Sequence, residues 1–429
     1  MGILIKNGHL VNPLSKTDGA YDLRIDDGRV TQLGERLPVH RGDQVIDAVG
    51  CYVIPGLIDL HVHFRDPGQT HKEDIRSGSD AACAGGFTTV CAMPNTTPPA
   101  DNADIIADVQ NRAAEYGKCR VFQAGSITVG MKGEELVDFA SMVEAGCKAF
   151  SEDGKSVKNS LLMRHAMQQI SGLSVPILDH CEDIDLVEGG VMNAGSAAQR
   201  LGLRGITNAV ENVIASRDIM LAQETGARLH LCHCSTQESV DLVWDAKMKG
   251  LKVSGEVCPH HFILTDEDIP DANSANYKMN PPLRTRDDAD ELIWGLSENI
   301  MDVISTDHAP HTAEEKSHGF VDSPFGIVGL ETSLPLTYTY LVKTGVLTMG
   351  QMIAKMSINP AKVLGVEGGD ISVGKVADVT VFDPNSFYEI HASNFRGRGT
   401  NMPYEGREVY GRVKYTILEG RITYSEDAL

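Results

Sequence analysis

The stretch Ile54-Pro-Gly-Leu-Ile-Asp-Leu-His-Val-His-Phe-Arg-Asp-Pro-Gly68 decides how the rest of the chain is read. It begins as an apolar run and ends in polar residues. Asp59, His61 and His63 lie two apart, and in a β-strand residues at that spacing share one face. Both imidazoles are therefore expected to point the same way at the end of a buried strand. Neutral imidazole is a common ligand for divalent metals such as zinc. Pro67-Gly68 then turns the chain away. The plain alternative is two histidines on an ordinary strand face, and the apolar lead-in and the immediate turn weigh against it.

The same unit, a short apolar strand ending in polar residues, recurs along the chain. The other strand ends read as Thr89-Val-Cys-Ala-Met-Pro-Asn95, Val121-Phe-Gln-Ala-Gly125, Lys148-Ala-Phe-Ser-Glu-Asp153, Pro176-Ile-Leu-Asp-His180, Leu229-His-Leu-Cys-His233, Val253-Ser-Gly-Glu-Val-Cys-Pro-His260 and Val303-Ile-Ser-Thr-Asp307. Between them lie stretches of helical character, such as 77–84, 103–116, 161–170, 208–225 and 237–249. Strand followed by helix, repeated, implies an α/β fold with a parallel sheet. About eight such units over roughly 300 residues suit a (β/α)₈ barrel of the TIM type, spanning 54–365. A doubly wound open sheet is the competitor, but the glycine-rich phosphate loop usual after its first strand is missing. In a barrel the active site lies at the C-terminal strand ends, which is where the His, Asp and Asn residues recur.

Residues 1–53 have another texture. Ile3-Leu-Ile5, Tyr21-Asp-Leu-Arg-Ile25 and Val45-Ile46 are short alternating pieces punctuated by Gly8, Gly28 and Gly34. Residues 366–429 resemble them, with strands expected at Val376-Ala-Asp-Val-Thr-Val-Phe382 and Val413-Lys-Tyr-Thr-Ile-Leu418. The two ends are expected to pair into one small β domain.

Composition narrows the function. Hydrophobic residues make up 42% and charged residues 23%, an ordinary globular mix. A net charge of -21 argues against nucleic acid or an anionic membrane as partner. It leaves an anionic small molecule open, since a few local cations can dominate a pocket. Nine scattered cysteines read as reduced thiols of a cytoplasmic protein. No apolar run approaches the roughly 18 residues of a membrane span. The start, Met1-Gly-Ile-Leu-Ile-Lys6, lacks a signal-peptide pattern, and Lys6 stands where a myristoylation motif needs Ser or Thr. Asn95-Thr-Thr97 matches a glycosylation triplet by chance.

The strand ends yield His61, His63, Asp153, His180, His233 and Asp307 as a candidate metal set. Four imidazoles and two carboxylates can hold two divalent ions, with Asp153 as a bridge. Nitrogen and oxygen ligands point first to zinc, then manganese or cobalt. Asp153 alone could be a loop residue, and His180 a hydrogen-bonded core residue. In Leu231-Cys-His-Cys234 the strand period puts both thiols opposite His233, so Cys232 and Cys234 are read as packing against helices. Asp307-His-Ala-Pro-His311 is stronger, because a carboxylate and two imidazoles directly follow an apolar strand. His260 and His261 are not assigned a metal.

Taken together these residues resemble the amidohydrolase superfamily, and within it the bacterial class I dihydroorotases. The resemblance rests on the Pro-Gly-Leu-Ile-Asp-Leu-His-Val-His lead-in, His63-Phe-Arg-Asp-Pro-Gly68, Met93-Pro-Asn-Thr-Thr-Pro98, Met279-Asn-Pro-Pro-Leu-Arg284, Asp307-His-Ala-Pro-His311, Pro324-Phe-Gly326 and the tail Gly374-Lys-Val-Ala-Asp-Val-Thr-Val-Phe-Asp383. It implies that His61, His63, Asp153, His180, His233 and Asp307 hold one or two zinc ions per subunit. It also implies that His63, Arg65, Asn95, Asn280, His311, Phe325 and Gly326 contact substrate. Many superfamily members bridge their metals with a carboxylated lysine on the fourth strand, and Lys148 occupies that kind of position. The dihydroorotase subgroup uses an aspartate a few residues later, which favours Asp153. A homodimer is implied, with room for association with another pyrimidine-pathway enzyme.

The implied reaction opens the cyclic amide of dihydroorotate to N-carbamoyl-L-aspartate, or closes it in pyrimidine (UMP) synthesis. It calls for metal-activated water, with Asp307 as general base and then acid. Arg65 carries the specificity, because a guanidinium grips a carboxylate and dihydroorotate has one. Allantoin, hydantoins and dihydropyrimidines do not. The alternatives are an allantoinase or dihydropyrimidinase, or a catalytically inactive homologue serving as a structural partner. A surface pair of Arg65 with Asp66 is the bland reading of the arginine.

Overall fold

The computed structural model describes residues 2–428. The two chain ends meet in one sheet. Its strand order is Arg421–Ser425, Glu408–Leu418, Val379–Glu389, Tyr52–Pro55, Ile3–Asn12, Thr17–Asp26 and Arg29–Gly34, with Gln44–Asp47 also beside Ile3–Asn12. The junction of the ends is the antiparallel pairing of Tyr52–Pro55 with Val379–Glu389, where Val53 stands opposite Val381. Ile5, Leu10, Leu23, Val53, Val379 and Ile417 are fully buried in the apolar cluster of this sheet.

Apart from a short parallel pair, Met192–Asn193 with Gly205–Ile206, the middle of the chain forms two all-parallel sheets. One runs Val303–Ile304, Val253–Val257, Leu229–Leu231, Ile177–Asp179, Phe150–Ser151, Gly125–Ser126. The other is Leu57–Val62, Phe87–Ala92, Arg120–Gln123. They adjoin at two places. Arg120–Gln123 passes through Ala124 into Gly125–Ser126, and Val62 bridges His308 just past the Val303–Ile304 strand. There the His63 amide donates to the His308 carbonyl at 2.8 Å.

The strands are buried on both faces, as parallel strands covered by helices are. Leu57, Ile177, Leu229, Leu231 and Ile304 belong to the large cluster shared with the helices. Leu60, Cys91, Ala124, Ala149, Leu178, Cys232 and Val303 form a separate inner apolar cluster. Helices follow most strands where expected: Ile75–Ala84, Ala103–Tyr116, Ser160–Ser171, Ala209–Thr225 and Gln237–Met248. Several begin on side-chain caps that satisfy otherwise orphaned amides, among them Asp74, Asn102, Asn159 and Thr236. The strands are shorter than the sequence suggests, so most polar residues lie one to three positions past the last pairing. No helix among the described residues is long and apolar enough to cross a membrane.

Candidate active site

All six candidate ligands converge at the C-terminal ends of the parallel strands. Asp153 is the centre. Its Oδ1 lies 3.0 Å from His61 Nε2, 3.5 Å from His180 Nδ1 and 3.8 Å from His233 Nε2, and its Oδ2 lies 3.5 Å from His63 Nε2. Asp307 Oδ1 stands 3.1 Å from His63 Nε2 and 3.6 Å from His61 Nε2. All six side chains are buried.

Three of the imidazoles are held from behind. His61 Nδ1 lies 3.1 Å from Glu256 Oε1, His63 Nδ1 lies 2.9 Å from Asn95 Oδ1, and His180 Nε2 lies 3.1 Å from Glu182 Oε2. An oxygen acceptor at one ring nitrogen puts the proton there and leaves the lone pair of the other facing inward. Metal-binding histidines are set up in this way. His233 Nε2 faces His180 Nδ1 at 2.9 Å. The buried nitrogens His61 Nε2 and His233 Nδ1 have no hydrogen-bond partner among the described residues. Unpaired buried polar atoms are costly, and a cation in the cluster would give that of His61 a partner. The ligand atoms of His61, Asp153 and His233 lie within 4.8 Å of one another, as do those of His61, His63 and Asp307. The donor set fits a divalent ion.

The charges in the cluster act strongly on one another. Burial favours the neutral form of a carboxyl, yet the charges of His61 and His63 hold Asp153 well below the usual carboxylate range. Asp307 is likewise lowered against its burial by the His63 hydrogen bond and nearby imidazoles. Burial disfavours charge on His180, but Asp153 and Glu182 outweigh it and raise the ring to about 10.

Local backbone aims these side chains. Asp59 pairs with Val90 and Val62 with Ala92, so the first strand carries one extra residue between them. Alternation would send Leu60 and His61 to opposite faces; the bulge lets both face inward. Arg65, His233 and Asp307 have φ of 58°, 34° and 49°, conformations uncommon outside glycine that concentrate at functional sites.

The second half of the site is a cavity of about 200 Å³ that opens onto the cluster. Arg65, Asn95, Asn280, His311, Phe325 and Gly326 line it together with five of the six candidate ligands. Arg65 has no carboxylate partner within ion-pair distance among the described residues, and Asp66 pairs instead with Arg112. Arg65 Nε donates to the Pro310 carbonyl at 3.3 Å, and its Nη2 lies 3.3 Å from His311 Nε2. Burial, with the charges of Arg65, Lys72 and Lys316 around it, lowers His311 to about 3. Gly326 has φ of 128°, and a Cβ there would stand 2.7 Å from the Ala309 Cβ and 3.2 Å from His311 Nε2.

Two expectations are corrected, and the alternative to Asp153 is set aside. Asp59 does not share the ligand face: its Oδ1 accepts from the backbone amides of His61 at 2.9 Å and Thr306 at 3.3 Å. Cys232 does not face the helices. Strand alternation holds through Cys232 and puts it in the inner cluster; His233 enters the site only because its positive φ breaks the period. Lys148 stands outside the site, its ammonium 5.9 Å from the centre of the Phe122 ring, whereas Asp153 is at the middle of the imidazoles. The sequence reading also passed over Glu256 and Glu182, which orient His61 and His180. Glu256 had a signal: a carboxylate inside the apolar strand Val253–Val257 is almost never buried without partners.

Metal-ligating residue types at the C-terminal ends of parallel strands suit a metal-dependent enzyme, and the comparisons give its class as an amidohydrolase. A family model described as Dihydro-orotase-like matches residues 50–239, and one described as Amidohydrolase family matches 321–424. A dihydroorotase of Acetivibrio thermocellus is 43% identical over 100% of this chain and 100% of its own length. That of Bacillus caldolyticus is 45% identical over 99% of each chain. Among solved structures, the L-hydantoinase (dihydropyrimidinase) from Arthrobacter aurescens superposes with a TM-score of 0.88 at 26% identity, covering 99% of this chain and 96% of that one. The chain belongs to the dihydroorotase family.

Proposed function

We propose that the chain catalyses the reversible hydrolysis of the cyclic amide of (S)-dihydroorotate to N-carbamoyl-L-aspartate, with zinc, in pyrimidine synthesis. The observation that carries it is Arg65: a buried guanidinium with no carboxylate partner among the described residues, in the same cavity as the histidine cluster. Such a group calls for an anionic ligand. A ring bearing a carboxylate supplies one; hydantoin, allantoin and dihydrouracil do not. The relatives named dihydroorotase, at 43% and 45% identity, favour the same substrate over that of the hydantoinase.

The residues divide the work. Arg65, with His311 and Asn95 beside it, binds and orients the substrate carboxylate, and the close Gly326 backbone leaves room for the ring. His61, His63, Asp153, His180, His233 and Asp307 would hold the metal. When bound, the cation supplies acidity to the attacking water and charge to offset the oxyanion. Asp307 is ionised at the start, accepts the proton of that water, and returns it to the leaving amide nitrogen.

The architecture belongs to the same reading. Residues 54–365 form a (β/α)₈ barrel, supported by the Ala124 link and the Val62–His308 bridge between the two parallel sheets. Residues 1–53 and 366–429 form the small β domain, supported by their shared sheet. The chain works as a cytoplasmic homodimer with room for a second pyrimidine enzyme; light scattering of the purified protein tests the dimer.

The test is direct. Protein purified with zinc is assayed for ring opening of L-dihydroorotate at alkaline pH, beside allantoin, hydantoin and dihydrouracil, with metal content measured on the same sample. Turnover of dihydroorotate alone is expected. Turnover of a neutral ring would keep the metal chemistry and overturn the role of Arg65. No turnover with metal bound would favour an inactive structural homologue.

A further inference from the structure

The connection between the strands Val379–Glu389 and Glu408–Leu418 leaves the mixed sheet and reaches the candidate site. Two carboxylates pin it on the way. Glu331 accepts from the amides of Arg396 at 2.8 Å and Gly397 at 3.1 Å. Glu73, fully buried, accepts from the amide of Arg398 at 3.2 Å. The Arg398 guanidinium reaches back to the Thr70 carbonyl and to Asp74. Gly399 is pressed onto the segment after Asp307: a Cβ there would lie 2.7 Å from the Pro310 Cβ and 2.5 Å from a Val328 methyl.

At the end of this strap stands Asn401, 3% exposed. Its Oδ1 accepts from the His311 amide at 3.0 Å. Its Nδ2 donates to the carbonyls of Ala309 at 3.1 Å and Gly326 at 3.0 Å. Its own carbonyl accepts from the Val328 amide at 2.9 Å. One side-chain amide thus ties together two backbone segments, 309–311 and 326, that both line the cavity. Among the described residues, the only other side chain bonded to the Gly326 carbonyl is Lys316, at 2.9 Å.

We propose that Asn401 is a positioning residue for the carboxylate end of the substrate: its amide fixes the backbones of Ala309, His311 and Gly326 to one another, and so sets where His311 stands beside Arg65. The inference rests on the reading of Arg65 and His311 as the carboxylate subsite. It predicts a loss of substrate grip that spares the metal cluster, because Asn401 touches none of the six candidate ligands.

Asn401→Ala removes all three side-chain bonds. Asn401→Asp keeps the shape and the acceptor but turns the amide nitrogen, which donates to two carbonyls, into one oxygen facing both. Both are expected to retain wild-type zinc content and a kcat within about threefold. KM for dihydroorotate should rise at least about tenfold, which is the loss of one net hydrogen bond, and the Kd of orotate should rise in parallel. A merely structural role would lower melting temperature and kcat without this split. In wild type, saturating orotate should slow hydrogen exchange at the His311 and Val328 amides, a readout that needs no variant to fold. Unchanged exchange, or folded variants with KM and orotate Kd within about twofold of wild type, would overturn the inference and leave the functional reading standing. Failure of wild type to act on dihydroorotate would overturn both.

Discussion

Replacing Glu256 separates two contributions that a single carboxylate makes to the site. Its Oε1 accepts from His61 Nδ1 at 3.1 Å and from the His233 amide at 3.2 Å, and its Oε2 accepts from His230 Nε2 at 3.1 Å. Burial would raise this carboxyl, but the hydrogen bonds from His230 and His61 hold it well below the usual range. In Glu256→Gln the amide oxygen can take the Oε1 position and serve both donors. The amide nitrogen then faces His230 Nε2, and the His230 proton moves to Nδ1, where Ser254 Oγ stands 2.8 Å away. Every hydrogen bond survives, and only the negative charge behind His61 is lost. Outer-shell carboxylates of this kind are worth about 10- to 100-fold in metal affinity. The charge alone is expected to be near the low end, roughly tenfold, or about 1.4 kcal/mol. Glu256→Ala leaves three buried donors unpaired, each costing about 1–3 kcal/mol, and frees His61 to carry its proton on Nε2. Zinc affinity should fall about 100-fold or more, with a lower melting temperature. Competition against a chromophoric chelator measures affinity, and a melt of the metal-free protein reports folding. A folded Glu256→Ala that binds zinc within about threefold of wild type would refute the reasoning, as would a Gln variant weaker than the Ala variant.

Arg65→Leu should raise KM for dihydroorotate on the order of 100-fold, the worth of a buried charge-assisted pair, while zinc content stays at wild type; an unchanged KM would point to a neutral substrate. Asp153→Asn should lose bound metal and Lys148→Ala should not, since the carboxylate sits among four imidazoles and the ammonium over Phe122; metal analysis of the two variants decides. Lys355 is a stability probe away from the site. It is 1% exposed, donates to the Met301 carbonyl at 2.8 Å, and burial lowers it from 10.5 to about 8. Between those values the unfolded chain binds more protons, so this group adds stability as pH rises, up to about 3 kcal/mol by pH 10.5, and loses it as pH falls through about 8. Urea midpoints of wild type and Lys355→Met from pH 7.5 to 10.5 should diverge in favour of wild type; a constant difference would sink the assignment.

What could be read from the chain, and what could not, divides along a physical line. Each parallel strand is a short apolar run, and its polar end is visible because burial forbids an unpartnered His or Asp in the run itself. That is why His61, Asp153, His180, His233 and Asp307 could be collected before any coordinates. Their orientation was less legible. Period-2 alternation puts His233 on the helix side with Leu229 and Leu231, and only a φ of 34° turns it inward; starting the alternation from an inward His233 is what gives Cys232 the wrong face. A bulge between Asp59 and Val62 is equally silent in composition. Glu256 lay in plain view as a charge in a buried strand, but its partners come from two other strands. Asn401 left no trace at all. It lies in a polar connection 90 residues beyond His311, and its role exists only because the strap is pinned by Glu73 and Glu331, from the first and last quarters of the chain. Residues that carry chemistry announce themselves by type and place in a repeating unit. Residues that position them do so through contacts distant in sequence, and a single sequence holds no signal for those until the fold brings them together.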